Sequence, residues 1–280
     1  MTTVKAPEEA LRAGDPEQAL TQLQNAIRSE PANASLRTFL FQLLSVLGNW
    51  ERAANQLEVV GELDAGALPM VQMYREALRC EVVRGKVMSG STAPLLFGHP
   101  EDWIAILIEA LLSEGQGKPE DGAKLREQAF DLAPTTAGTI NGQPFEWIAD
   151  ADMRLGPVCE AVINGRYYWL PYARLNRIVL EAPEDLRDFV WMPAHFEFAN
   201  GGEMVGIIPT RYPGSESDPD PLIRLARKTD WADAGNGVYV GRGQRVLTTS
   251  EGDFPLLDVR EIVLEGEVPE AEGEAPADAA

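Results

Sequence analysis

An α+β fold in two parts is predicted: a tetratricopeptide-like helical repeat domain, then an antiparallel-rich α+β domain. Three observations carry this. Gly14, Ala19 and Leu23 recur as Gly48, Ala53 and Leu57, a shift of 34 residues, and 34 is the tetratricopeptide period. The chain is rich in Ala, Leu, Glu, Gln and Arg up to about residue 134, then in aromatics, Gly, Pro and β-branched residues from about residue 145. Asn164-Gly165 sits between two apolar runs, and Asn-Gly is the strongest two-residue hairpin signal because both central positions take φ > 0.

The elements follow in order. Gly14 ends a first helix where a left-handed backbone is needed. Asp15-Pro16-Glu17 restarts the chain as a helix, with Asp as N-cap and Pro at the first helical position. Pro31 stops it. The same unit returns at Gly48. Ala19 and Ala53 stand where two helices cross closely, and Leu23 and Leu57 fill the next layer. A third copy is read at Gly117-Lys118-Pro119-Glu120, with Ala129 and Pro134 answering Ala26 and Pro31. Between these copies, residues 68–83 and 100–112 read as further helices and residues 85–99 as a loop. About six helices stacked as a short degenerate solenoid are expected. Residues 134–144 hold two prolines, two glycines and no helical period, and read as a linker.

In the second half, residues 157–163 and 166–170 form the Asn164-Gly165 hairpin. Residues 177–181 read as a strand and 183–188 as one or two helical turns. Residues 195–198 and 204–208, split by Asn200-Gly201-Gly202, form a second hairpin. Residues 221–228 read as a short amphipathic helix, and 244–249 and 256–264 as strands. The assignment is therefore 1–134 helical domain, 135–144 linker, 145–264 α+β domain and 265–280 disordered acidic tail.

Composition limits the function. The chain has 280 residues and a net charge of −20, and six acids with no base fall between Glu265 and Ala280. Such acidity repels phosphate backbones and anionic membranes, so nucleic acid is not expected as a partner and a basic protein surface is. The most apolar window, residues 103–112, is broken by Glu109 and is far shorter than the ~20 residues needed to span a bilayer. The first six residues hold no apolar segment of the kind a secretory leader needs. Cys80 and Cys159 are the two cysteines, too few for a disulfide framework. A cytoplasmic location is expected.

Chemistry-bearing patterns are sparse. His99 and His195 are the two histidines and fall in different halves, which leaves no two-histidine zinc site within one domain. Asp218-Pro219-Asp220 lacks the ligand alternation of a calcium loop. No phosphate-binding glycine loop occurs, and Gly241-Arg242-Gly243 precedes a strand instead of following one, so it reads as a turn. Cys159 lies in an apolar strand and reads as a buried thiol. Glu146, Asp150 and Asp152 surround Trp147, and on a helix Glu146 and Asp150 would share a face. They are the acid–base candidates for a hydrolase and equally serve as caps, Arg154 partners or a contact rim. Tyr167, Tyr168 and Trp169 share one strand and cannot all face one core. Tyr, Trp and Arg are hot-spot residue types. The partner-contact candidates are therefore Glu146, Trp147, Asp150, Asp152, Arg154, Tyr167, Trp169, Arg211 and Tyr212. No catalytic, metal or cofactor-binding residue is assigned.

One run of motifs is recognisable. It begins at Phe145-Glu-Trp-Ile-Ala-Asp-Ala-Asp152 and Arg154-Leu-Gly-Pro157. It continues through Asn164-Gly-Arg-Tyr-Tyr-Trp169, Leu186-Arg-Asp188, Val190-Trp-Met-Pro193, Ala199-Asn-Gly-Gly-Glu203, Ile208-Pro-Thr-Arg-Tyr-Pro-Gly-Ser-Glu216 and Leu225-Ala-Arg-Lys-Thr229. It closes on Gly243-Gln-Arg245 and Leu257-Asp-Val-Arg-Glu261. With these the chain resembles the ImpE/TagJ family of type VI secretion accessory proteins, densely in the second half and more loosely in the first. The resemblance implies a helical first domain, an α+β second domain and a non-enzymatic cytoplasmic adaptor. It implies binding to the small contractile-sheath subunit through that subunit's N-terminal helix, and a link to the AAA+ ATPase that disassembles the sheath. It brings no catalytic residue and no cofactor. A general tetratricopeptide scaffold for another partner and the carboxylate hydrolase are the alternatives. Because helical repeats build concave surfaces, a groove for an amphipathic helix, with apolar anchors and an acidic rim, is expected in one of the two domains.

Overall fold

A computed structural model describes residues 5–98 and 100–266. Seven helices come first: α1 (Lys5–Arg12), α2 (Pro16–Ser29), α3 (Ala34–Val46), α4 (Trp50–Leu63), α5 (Leu68–Met88), α6 (Asp102–Gly115) and α7 (Pro119–Leu132). The 34-residue pattern maps onto two helix pairs, α1–α2 and α3–α4. Gly14 and Gly48 both take left-handed φ, +85° and +67°, between the helices of each pair. Ala19, Leu23, Ala53 and Leu57 are fully buried. Asp15 accepts from the Gln18 N–H at 2.8 Å and caps α2, and Asn33 does the same for α3. The third copy is the pair α6–α7. There Gly122 takes the close-crossing position, where a Cβ would come within 2.8 Å of the Ala110 carbonyl. The loop read at 85–99 begins later than expected, because α5 runs on to Met88.

The second half is strand-rich. It contains β1 (Gly138–Ile140), β2 (Gln143–Phe145), β3 (Ile148–Asp150), β4 (Val158–Ile163), β5 (Arg166–Pro171), β6 (Leu175–Leu180), β7 (Trp191–Phe198), β8 (Glu203–Pro209), the single turn α8 (Pro221–Arg224), β9 (Thr229–Asp233), β10 (Tyr239–Gly243), β11 (Val246–Thr249), β12 (Gly252–Pro255) and β13 (Glu261–Leu264). An eight-stranded sheet has the order β2-β1-β13-β6-β7-β8-β4-β5, beside a three-stranded sheet β12-β11-β3 and the hairpin β9–β10. All paired strands are antiparallel.

Several expectations need correcting. The segment read as a linker is the β1–β2 hairpin, which pairs onto β13 at the sheet edge. Its Asn141-Gly142 tip has positive φ at both residues, a second hairpin turn of the Asn-Gly kind. Residues 148–150 are a strand, so Glu146 and Asp150 share no helical face. Gly241 and Gly243 lie within β10, not in a turn. Residues 256–264 are a 3-10 turn followed by a strand. The acidic tail expected from 265 falls outside the described residues, apart from Glu265, whose N–H donates to the Ala137 carbonyl at 2.9 Å, and Gly266.

Two cores lie on opposite faces of the large sheet. One continues from the helices onto the sheet through Val158, Val162, Tyr167, Trp169, Trp191 and Ile207. The other is closed on the far side by Ile148, Leu247, Leu256 and Val259. Strand alternation sends Val158, Glu160 and Val162 of β4 toward the helices, and Cys159, Ala161 and Ile163 away from them. This is why every residue of β4 is buried and why an aromatic run in β5 serves two cores.

Candidate functional site

The surface that the helical repeat would offer to a ligand is already filled by the chain itself. The 3-10 turn Leu186–Phe189 packs on α3. Trp191 enters the helices beside it, stacked 6.5 Å from the Phe41 ring and flanked by Trp50 and Tyr74. Its indole N–H donates to Glu81 at 2.8 Å. Arg211 sends its guanidinium to the C-terminal end of α3, donating to the Val46 and Ser45 carbonyls at 2.8 and 3.2 Å. Both carbonyls lie in the last turn of α3, at the negative end of the helix dipole, and the Ser45 oxygen also accepts from the Gly48 N–H. Burial lowers the Arg211 pKa to about 10, so the group remains a cation there at neutral pH.

Beneath this contact lies a buried ion network. Arg84 of α5 donates to both carboxylate oxygens of Glu160 on β4, at 2.8 and 3.1 Å. It also donates to Glu81 at 3.2 Å and to the Arg211 carbonyl at 2.6 Å. Arg245 bridges Glu160 and Asp150 and donates to the Pro209 carbonyl at 2.9 Å. Tyr167 donates to Glu160, and the Trp169 N–H to Tyr167 at 2.8 Å. Burial alone would raise the Glu160 carboxyl, but Arg84 and Arg245 hold it well below the ordinary carboxylate range. At Asp150 burial prevails over Arg245 and pushes the carboxyl up to about 6.

The proposed contact residues therefore separate into two groups. Asp150, Asp152, Tyr167, Trp169, Arg211 and Tyr212 are buried and cannot meet a partner as the protein stands. Asp152 holds Arg154 at 2.6 Å and accepts from the Gly241 N–H at 2.9 Å. Tyr212 uses its hydroxyl on both backbone groups of Val246. Arg154 is mostly covered. Glu146 and Trp147 reach the surface. The hydrolase reading fails on the same geometry: the Asp150 and Asp152 side chains have 0% exposure, each is neutralised by an arginine, and Glu146 stands apart on the exterior. No group of three or more metal-ligating side chains occurs among the described residues.

The open site lies where the helices stop covering the sheet. In β7, Met192, Ala194, Phe196 and Phe198 face the far core, so Trp191, Pro193, His195 and Glu197 face the helical side. Helices cover only the Trp191 end. Beyond it a groove of about 810 Å³ runs between α5 and the sheet, with Met73, Pro193, Val205 and Ile207 as apolar lining and Glu76 and Glu181 on its rim. Val205 is 72% exposed, the most open large apolar side chain among the described residues. His195 lies in the same groove, its Nε2 3.4 Å from a Glu203 carboxylate oxygen. Outside the groove, the same face continues through Arg177, which is ion-paired with Glu197 and Glu261, to Val263. None of these groove residues was selected from the sequence. The sequence offers no distinct signal for them, because Val205 stands in the apolar run of β8 and its exposure is set by where the helices stop covering the sheet.

Comparison with known proteins fixes the family. The ImpE protein profile matches residues 142–263, and a tetratricopeptide repeat profile matches residues 10–78. The chain is 52% identical over 258 residues to the type VI secretion system accessory component TagJ of Pseudomonas aeruginosa, covering 92% of this chain and 90% of that protein. The chain belongs to the ImpE/TagJ family. The crystal structure of protein VPA1032 from Vibrio parahaemolyticus shares the fold of this ImpE/TagJ member, with a TM-score of 0.85, 29% identity, and coverage of 94% of this chain and 98% of that one. As in the sequence reading, the ImpE/TagJ chain joins tetratricopeptide-like helices to an antiparallel sheet. No helix among the described residues is long and apolar enough to cross a membrane.

Proposed function

We propose that this chain is a non-enzymatic adaptor of a type VI secretion system, acting in the cytoplasm. It binds the small subunit of the contractile sheath through that subunit's N-terminal helix and helps couple the sheath to its disassembly ATPase. Family membership supports the system, and one observation carries the binding mode. The groove between α5 and β7–β8 has an apolar floor around Val205 and an acidic rim at Glu76 and Glu181. An amphipathic helix with a cationic flank satisfies both features. The helical repeat itself acts as the scaffold that holds α5 over the sheet.

Calorimetric titration of the full chain with the sheath small subunit, and with its N-terminal peptide, tests the reading. Binding of both is expected, with Val205→Glu weakening each by about tenfold or more, since a charge in the floor removes a central apolar anchor. Absence of binding to either, from a sample with native circular dichroism, overturns it.

A further inference from the structure

A second surface differs from the groove in residues and position, and the adaptor reading does not use it. Two adjoining hollows of about 650 and 310 Å³ share Phe130 and Met153. They form one cleft between α7 on one side and β3 and the β9–β10 turn at Asn236, Gly237 and Val238 on the other. Trp147 lines it and is 40% exposed, and Leu132, two residues beyond Phe130, is 55% exposed. Phe145 at the end of β2 and Ile148 at the start of β3 are both anchored in the far core, and the two-residue connection between the strands leaves the Trp147 indole outside.

The charge around the cleft is one-sided. Glu120, Glu127 and Asp131 of α7 line it. Glu146 and Glu251 join them at the Trp147 end, linked through Ser250, whose hydroxyl accepts from the Glu146 N–H at 2.9 Å and donates to Glu251 at 3.3 Å. Among the lining cations, Arg126 is buried and committed to Glu114 at 2.6 and 2.9 Å, which leaves Lys124. The last turn of α7 carries no basic residue, so the negative end of that helix lacks the counter-charge usually placed there.

We propose that this cleft docks a cationic segment of a partner protein, with an arginine or lysine over the Trp147 face and an apolar side chain against Phe130 and Met153. A cation over an indole is favoured by the ring quadrupole. The acidic margin would steer the segment in and reject acidic competitors. A bound cation would also supply the charge that α7 lacks at its C-terminus.

Two synthetic probes of equal length test this by calorimetry: an amphipathic leucine–arginine peptide and its leucine–glutamate counterpart. The full chain carries Val205→Arg, which closes the sheet-face groove to a cationic probe. We expect the arginine peptide to bind and the glutamate peptide not to bind. Trp147→Ala should weaken the arginine peptide by about tenfold or more. Asp131→Arg, an exposed change that keeps the protein folded if Trp147→Ala does not, should weaken it similarly. No binding in the Val205→Arg background, equal binding of both peptides, or binding indifferent to Asp131→Arg overturns the proposal.

Discussion

Glu160 is the centre of the buried ion network. It is a fully buried carboxylate on a strand, contacted by Arg84, Arg245 and Tyr167. A buried pair adds little net stability by itself, but removing one partner leaves an uncompensated buried charge. Arg84→Met is therefore expected to lower unfolding free energy by about 3–5 kcal/mol, read as a shift in urea midpoint. The double change Arg84→Met with Glu160→Leu should recover part of that loss. A single change costing no more than an ordinary surface substitution would contradict this account. The sequence could not show the network. Arg84, Glu160 and Arg245 are far apart in the chain, and each alone resembles a solvated surface charge. The same holds for Arg211 and Tyr212, where residue type suggested a contact and the partners turned out to be the chain's own carbonyls.

Elements were more legible than residues, because their signals are local. The glycine–alanine–leucine phase located α1–α4, and Asn164-Gly165 located the β4–β5 hairpin. Asn-Gly also sits in the β1–β2 and β9–β10 turns, at Asn141-Gly142 and Asn236-Gly237, but there the flanking runs are short and broken by proline, glycine or charge, so the pair alone does not reveal a hairpin. Gly241 illustrates a constraint that composition conceals. It lies in β10 under the Tyr212 ring, where a Cβ would fall 2.2 Å from ring carbons. Gly241→Ala is expected to destabilise by about 1–3 kcal/mol, the usual cost of overpacking, and Gly214→Ala at an open left-handed site by about 1 kcal/mol. Thermal melts of the two variants, ranked in that order, check the assignment. The exposed stretch of the sheet face behaves oppositely. Val205→Glu should leave the melting temperature within the error of a surface change while reducing partner binding.

On the scale of the whole molecule, the helical half and the sheet share a core through Trp191, Tyr167 and Trp169. Unfolding should therefore be one transition, with calorimetric and van't Hoff enthalpies equal; two separated peaks would show that the halves melt independently. The pH dependence has a defined sign. Glu160 has a folded pKa below its unfolded value, so its stabilisation is complete above about 4.5 and lost as pH falls through the folded value. Asp150 has a folded pKa raised to about 6, so its contribution is complete below its ordinary value of 3.8 and lost as pH rises through 6. Melting temperature is expected to fall below pH 4.5 as the Glu160 contribution is lost, and the Asp150 contribution is expected to be lost as pH rises between about 4 and 6. With a net charge of −20, association with a cationic partner should slow as salt rises, since steering is screened beyond ~8–10 Å; stopped-flow rates indifferent to salt would contradict it.

The ion network also has a consequence for descent and for engineering. Arg84 comes from α5, Glu160 from β4, and Arg245 from the residue before β11, so three distant stretches of the gene must agree on their charges. A recombinant that joins the helical half of one relative to the sheet of another inherits this agreement only if all three positions match. Where they differ, the hybrid buries an unmatched ion at its seam. Crossover sites in this family are therefore restricted by electrostatics at the junction more than by the short segment that connects the halves.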